Sequence, residues 1–285
     1  MNSRVKIRFP REAGLFYERH TEPLKSQIKS CFLHKLGPGK EPKVNENGPR
    51  KILSLICPHA GYMYSGPVAG HSYYALAEDG VPDSIILIGP NHAGMGSGVS
   101  ISVEGVWRTP LGDISIDSEL AWKIQKASNI IDIDDTAHEF EHSIEVQIPF
   151  LQYLYGAVKF VPICMLMQDL DTSLEVGEAV AKAISGANAV IIASTDLTHY
   201  ESKKSVETKD NLAIDAILKM DEVALQATVE KYSITMCGYG PVSVALAASK
   251  KLGAKNVVSL CHKTSGDITG DYAQVVGYAS LVISR

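Results

Sequence analysis

The sequence predicts a single α/β domain over residues 1–285, with helices in two layers around a mixed, mainly parallel sheet. Two observations carry that expectation. Short runs of almost wholly apolar residues recur along the chain, as strands covered on both faces require. Between them lie longer segments with one apolar side, as helices packed on such a sheet require.

The apolar runs are KILSLIC (Lys51–Cys57), SIILIG (Ser84–Gly89), VKFVPICM (Val158–Met165) and NAVIIAS (Asn188–Ser194). Each is far shorter than the roughly 20 residues that span a bilayer. Helical patterns follow at Thr172–Ala187, opened by the capping-box sequence TSLE, and at Ser202–Met220. A third helix starts after Gly240, with Pro241 in its first turn and Gly253 past its end. Two further strands are predicted in NVVSLCHK (Asn256–Lys263) and YAQVVGYASLVIS (Tyr272–Ser284). Residues 98–116, with a turn at TPLGD, read as an inserted hairpin. The polar segment Pro38–Arg50 is too short to separate domains.

Charge and cysteine content narrow the function. A formal net charge of −5 gives no basic surface for nucleic acid or an anionic membrane. Five widely spaced cysteines argue against a disulfide framework and against a CxxC zinc site. With no apolar leader in MNSRVKIRFPREAG, the expected compartment is cytoplasmic.

Three histidines occupy equivalent places, each in a loop directly after a predicted buried strand: His59 in CPHAG, His92 in GPNHAG and His199 in STDLTHY. Sites in open α/β sheets form beyond the carboxyl ends of strands, where such loops converge. A lone histidine in a turn is more often a structural hydrogen-bonder, but three in matching loops flanked by Gly and Pro favour a shared site. The first two loops belong to one βαβ unit with a helix near Pro67–Glu78, which predicts adjacent parallel strands. Neighbouring strands lie about 4.8 Å apart, so His59 and His92 can meet one ion.

His199 could be a third ligand or a proton acceptor, with Asp196 orienting it or capping the following helix. Cys237, in MCGYGP just before a helix, is expected in an exposed loop with a thiol pKa lowered by the helix N-terminus. HEFEH (His138–His142) matches H-E-x-x-H, but the acidic stretch before it lacks the periodicity of a buried helix, which argues against a metallopeptidase. Glu141 and His142 are expected to line the pocket from a loop-to-helix junction. Tyr62 and Asn91 are candidate substrate contacts, with loop packing as their alternative role.

PHAGYMYSGPVAG, IGPNHAG, TPLGD, EHSIEVQIPFLQ, STDLTHY and CGYGP together resemble the Memo family, which is similar in fold to class III extradiol dioxygenases. REAGLFYE adds a weaker match, with Glu18 where relatives commonly carry proline. The resemblance implies a three-layer domain in which His59, His92 and Cys237 are metal ligands, with Asp196 and His199 beside them. Cys237 would stand where the dioxygenases place a carboxylate, which favours copper, zinc or a differently tuned iron over catechol cleavage. It further implies iron- or copper-dependent redox chemistry, or phosphotyrosine-peptide binding, and a link to a radical S-adenosylmethionine protein. The residues themselves leave three functions open: a metal-dependent redox enzyme, a binding module for a small molecule or peptide, and a metal-free hydrolase with Cys237 as nucleophile.

Overall fold

Four mostly apolar strands side by side form the centre of the molecule. The structure, a computed structural model, describes residues 5–285. In chain order, the first half holds β1 (Ile7–Arg8), α1 (Thr21–Leu33), β2 (Ile52–Cys57), α2 (Tyr62–Asp79), β3 (Ser84–Pro90) and β4 (Val99–Ile101). There follow β5 (Val106–Thr109), β6 (Gly112–Ser115), α3 (Ser118–Lys126), β7 (Asp132–Ile133), α4 (Thr136–Glu139), a 3₁₀ turn at Glu145–Gln147 and α5 (Ile148–Tyr155). The second half holds β8 (Lys159–Met165), α6 (Leu170–Ile184), β9 (Ala189–Ser194), α7 (Lys203–Leu218), α8 (Glu222–Lys231) and α9 (Tyr239–Lys251). It ends with β10 (Asn256–Thr264), α10 (Gly266–Thr269) and β11 (Gly277–Ser284).

The main sheet has the order β10-β11-β2-β9-β3-β8-β4-β7. Its central strands β2, β9, β3 and β8 are parallel, whereas β10, β11 and β2 are joined antiparallel at one side and β4 is antiparallel to β8 at the other. Two buried hydroxyl pairs show that helices cover both faces. Ser54 on β2 bonds Ser249 on α9 at 2.6 Å, and Ser280 on β11 bonds Ser72 on α2 at 2.5 Å. Ser54 is paired with Ile283 in the ladder, and Ser280 is three residues from Ile283, so it points to the opposite face. One contiguous hydrophobic core runs through both interfaces.

Several expectations need correcting. β2 and β3 are not neighbours, because β9 lies between them. Only the TPLGD half of residues 98–116 is a hairpin; β5 and β6 form a separate sheet with β1, while β4 joins the main sheet. The helix after His59 starts at Tyr62 rather than near Pro67, which becomes its sixth residue and forgoes one helical hydrogen bond. Helix α6 starts at Leu170 and is capped by the Asp169 carboxylate, which accepts from Thr172 N–H at 3.0 Å, in place of a TSLE capping box. No helix among the described residues is long and apolar enough to cross a membrane.

Candidate metal centre

The loops after β2, β9 and β3 leave the sheet at the same edge, and a cleft of about 530 Å³ opens there. It is lined by His59, His92, His142, Asp196 and His199, with Phe16, Tyr64 and Tyr200 at its aromatic wall. His59 and His92 come from strands separated by β9, yet their ring centroids are 5.2 Å apart. His142 stacks on His92 at 4.4 Å and meets His59 edge-on at 5.3 Å. One ring nitrogen from each of the three lies within 4.8 Å of the other two.

Hydrogen bonding decides which nitrogens are free. The Ser194 hydroxyl has a single hydrogen, and the Ser143 carbonyl 2.7 Å away can only accept it. Ser194 Oγ therefore accepts from Nδ1–H of His59 at 2.9 Å, leaving the lone pair on Nε2. Gln147 Nε2, which also donates to the Pro58 carbonyl, donates to the same hydroxyl at 2.8 Å. Glu141 Oε1 accepts from Nδ1–H of His92 at 2.8 Å, so the His92 lone pair is likewise on Nε2. Metal-binding imidazoles are oriented in this way, by a partner on the nitrogen remote from the ion. The donor set thus fits a first-row transition metal, for which neutral imidazole nitrogen is a common ligand.

The charges are arranged to suit. Burial works to raise the Glu141 carboxyl, but hydrogen bonds and charge from His92 and His142 hold it at about 2, so it stays ionised. Burial pushes His142 down to about 4 and His59 well below its ordinary range, keeping both imidazoles neutral. Asp196, 4% exposed, is raised by burial to about 6, despite accepting from the His59 N–H at 2.8 Å.

Cys237 lies beside this group rather than inside it. Its Sγ is 3.2 Å from His59 Nε2 and accepts from the Asp196 N–H at 3.2 Å. The expected low thiol pKa is reversed, since burial and the Asp196 carboxylate push it well above the ordinary value. The expected exposed loop is also absent, since Cys237 is half-buried. His199 donates Nδ1–H to the Thr235 carbonyl at 2.8 Å, which leaves its Nε2 as an acceptor at the cleft.

Tyr62 and Asn91 are placed elsewhere. The Tyr62 ring is buried against Phe150 and its hydroxyl donates to the Val146 carbonyl, a consequence of the earlier start of α2. Asn91 ties its own loop, donating to the Met95 carbonyl and accepting from Gly94 N–H. H-E-x-x-H is not a helical motif here, because α4 ends at Glu139 and His138 is buried 5.6 Å from Trp107. Phe16 and Ser194 contribute to the site without a recognisable signal of their own. Glu141 is adjacent to His142 in EHS, and that adjacency is the signal for its orienting role.

The loop of Asp196 and His199 is held from below by Asp210 on α7. One Asp210 oxygen accepts from Thr198 N–H at 2.9 Å and the other pairs with His262 Nε2 at 2.8 Å. A Cβ on Gly277 would lie 1.8 Å from that second oxygen, so only glycine fits there.

The Memo-like protein family model matches residues 8–282. The chain belongs to the Memo-like family. It is 48% identical to a MEMO1 family protein of Methanopyrus kandleri over 98% of this chain and 99% of the relative. It is 50% identical to a MEMO1 family protein of Methanothermobacter thermautotrophicus, over 96% of this chain and 99% of that one. An uncharacterized Escherichia coli K12 protein of solved structure shares the fold, with a TM-score of 0.54 and 12% identity, over 81% of this chain and 100% of that one.

Proposed function

We propose that this Memo-like chain is a metal-dependent redox enzyme whose ion, iron or copper, is held by His59, His92 and His142. Three converging imidazole nitrogens, two of them fixed as Nε2 lone pairs by Ser194 and Glu141, carry the reading. Cys237, outside the three-histidine group but with its Sγ 3.2 Å from His59 Nε2, is the adjacent side chain that would supply a fourth donor. A bound ion would supply Lewis acidity and one-electron chemistry, and would bring the thiol to the thiolate form. Zinc would fit the same donors but not the redox step.

The chain's own groups handle protons and the substrate. His199 Nε2 accepts a proton from a hydroxyl bound in the cleft, while Nδ1–H stays on Thr235. Asp196, poised near 6, holds the loop through the His59 amide and takes up a proton in mildly acidic solution. Phe16, Tyr64 and Tyr200 give a planar substrate faces to pack on. That same aromatic mouth supports a second reading, a binding module for a peptide or small molecule, in which the ion is dispensable.

Elemental analysis of anaerobically purified protein tests the proposal. About one equivalent of iron or copper is expected, lost in His92→Ala; less than about a tenth in both proteins overturns it. Peptide binding that survives chelation would favour the second reading.

A further inference from the structure

One wall of the metal cleft is built by the start of β11 and the residue before α10, and the reaction proposed above leaves it unused. Val276, Tyr278 and Ser265 line it, and Ser265 Oγ accepts from the Val276 N–H at 3.0 Å. Tyr278 is 2% exposed and faces the cleft. Among the described residues its hydroxyl makes no hydrogen bond, yet it is not one of the unpartnered side-chain atoms sealed off from solvent. The ring is therefore buried, and the hydroxyl is the part that reaches the cleft. A buried tyrosine ordinarily gives its hydroxyl to a protein acceptor. Phenylalanine would bury the same ring, so the fold itself does not call for the oxygen.

The rest of the cleft lacks what this hydroxyl supplies. No lysine or arginine lines it, and His59, His92 and His199 each turn an Nε2 lone pair toward it. Those groups accept hydrogen bonds, whereas Tyr278 offers a hydrogen. Ser265 adds a second on the same wall, since its oxygen is the acceptor for Val276 and its hydrogen has no acceptor among the described residues. Tyr64 and Tyr200 also carry hydroxyls here, but both side chains are exposed and their oxygens are open to water. Burial, Asp196 and these two tyrosines push Tyr278 upward, so it keeps its hydrogen to donate. The Asp196 carboxylate acts on His199 as well, which sets the acceptor and the donor around one group.

We propose that Tyr278 is a substrate-binding donor that holds the oxygen of a planar phenol or enol once its proton has passed to His199. This rests on the reading given above, in which His199 is the base. The substrate O–H bond breaks, an N–H bond forms at His199 Nε2, and the electron pair stays on the substrate oxygen. That oxygen accepts from the Tyr278 O–H, a charge-assisted hydrogen bond whose donor is fixed in advance by its buried ring.

Para-nitrophenol is the probe, titrated near neutral pH with the full chain as purified and again with EDTA present. The expected result is a saturable rise in phenolate absorbance beyond that of the free probe in both samples, because the donor belongs to the chain. Tyr278→Phe is expected to weaken phenolate binding at least about tenfold, the scale of a hydrogen bond to a charged group, with Tm unchanged. No saturable rise, or a rise unchanged in Tyr278→Phe, would overturn the proposal. So would a lowered Tm in Tyr278→Phe, since the hydroxyl would then be a structural group. A rise abolished by EDTA would overturn it too, because the oxyanion would then depend on the ion, and the metal reading would stand. Metal content below about a tenth of an equivalent with the Tyr278-dependent rise intact would remove the metal reading and leave this one.

Discussion

Glu141 places one carboxylate oxygen 2.8 Å from Nδ1 of His92 and the other against the backbone N–H of the same residue. That oxygen near Nδ1 is also 3.5 Å from Nδ1 of His142, so one buried carboxylate faces two of the three converging imidazoles. Glu141→Gln keeps the shape and removes the charge. Metal affinity is expected to fall by about 10–100-fold, measured by competition with a chelator. An unchanged Kd would remove Glu141 from the orienting role.

The identity of the third donor is separable from that of the fourth. His142→Ala is expected to abolish stoichiometric metal binding, whereas Cys237→Ser is expected to retain about one equivalent with an altered charge-transfer spectrum. Loss of metal in Cys237→Ser with retention in His142→Ala would exchange their roles.

Acid is expected to destabilise the metal-free protein before its ordinary carboxylates titrate. Burial lowers His59 well below 6.5 and brings His138 and His142 to about 4. These rings stay neutral when folded but take up protons near 6.5 when unfolded, so stability falls as pH drops from about 6.5 toward 4. Asp196 opposes this, because its carboxyl, raised to about 6 from 3.8, binds a proton in the folded state first. Three histidines outweigh one aspartate, and the net loss is expected to approach about 2.7 kcal/mol per pH unit in that window. Urea unfolding at a series of pH values checks it; a flat profile above pH 4.5 would contradict the burial of these rings.

Gly277→Ala forces a methyl onto the Asp210 carboxylate. A loss of about 3 kcal/mol or more is expected, since backbone and carboxylate are both fixed. In a denaturation cycle, Asp210→Ala should cost less in the Gly277→Ala background than alone, because it relieves the clash. Simple additivity would show that the two positions do not meet.

The strands were legible because burial on both faces leaves an unbroken apolar run, and Ala189–Ser194 and Ser84–Gly89 need no tertiary information to be recognised. Their order was not, since local pattern does not say whether a later strand will be inserted between two earlier ones. The convergence of His59 and His92 survives that error because all three strands run parallel and end at one edge. Position after a strand, rather than adjacency, carried the signal. His142 was harder to rank as a donor, because it follows no strand and reaches the site from the turn that leads into α5. Cys237 shows a limit of local reasoning: proximity to a helix start suggests an acidic thiol, but burial beside Asp196 dominates.

The hydroxyl that fixes the His59 ring lies 135 residues further along the chain. A ribosome-bound nascent chain that has emerged only as far as β8 already holds His59, His92 and His142, but lacks Ser194 and the strand that lies between β2 and β3. Capture of an ion by an ordered triad must therefore wait until β9 docks, late in synthesis. Fragments ending before Ala189 would carry the three imidazoles without the frame that makes them a site.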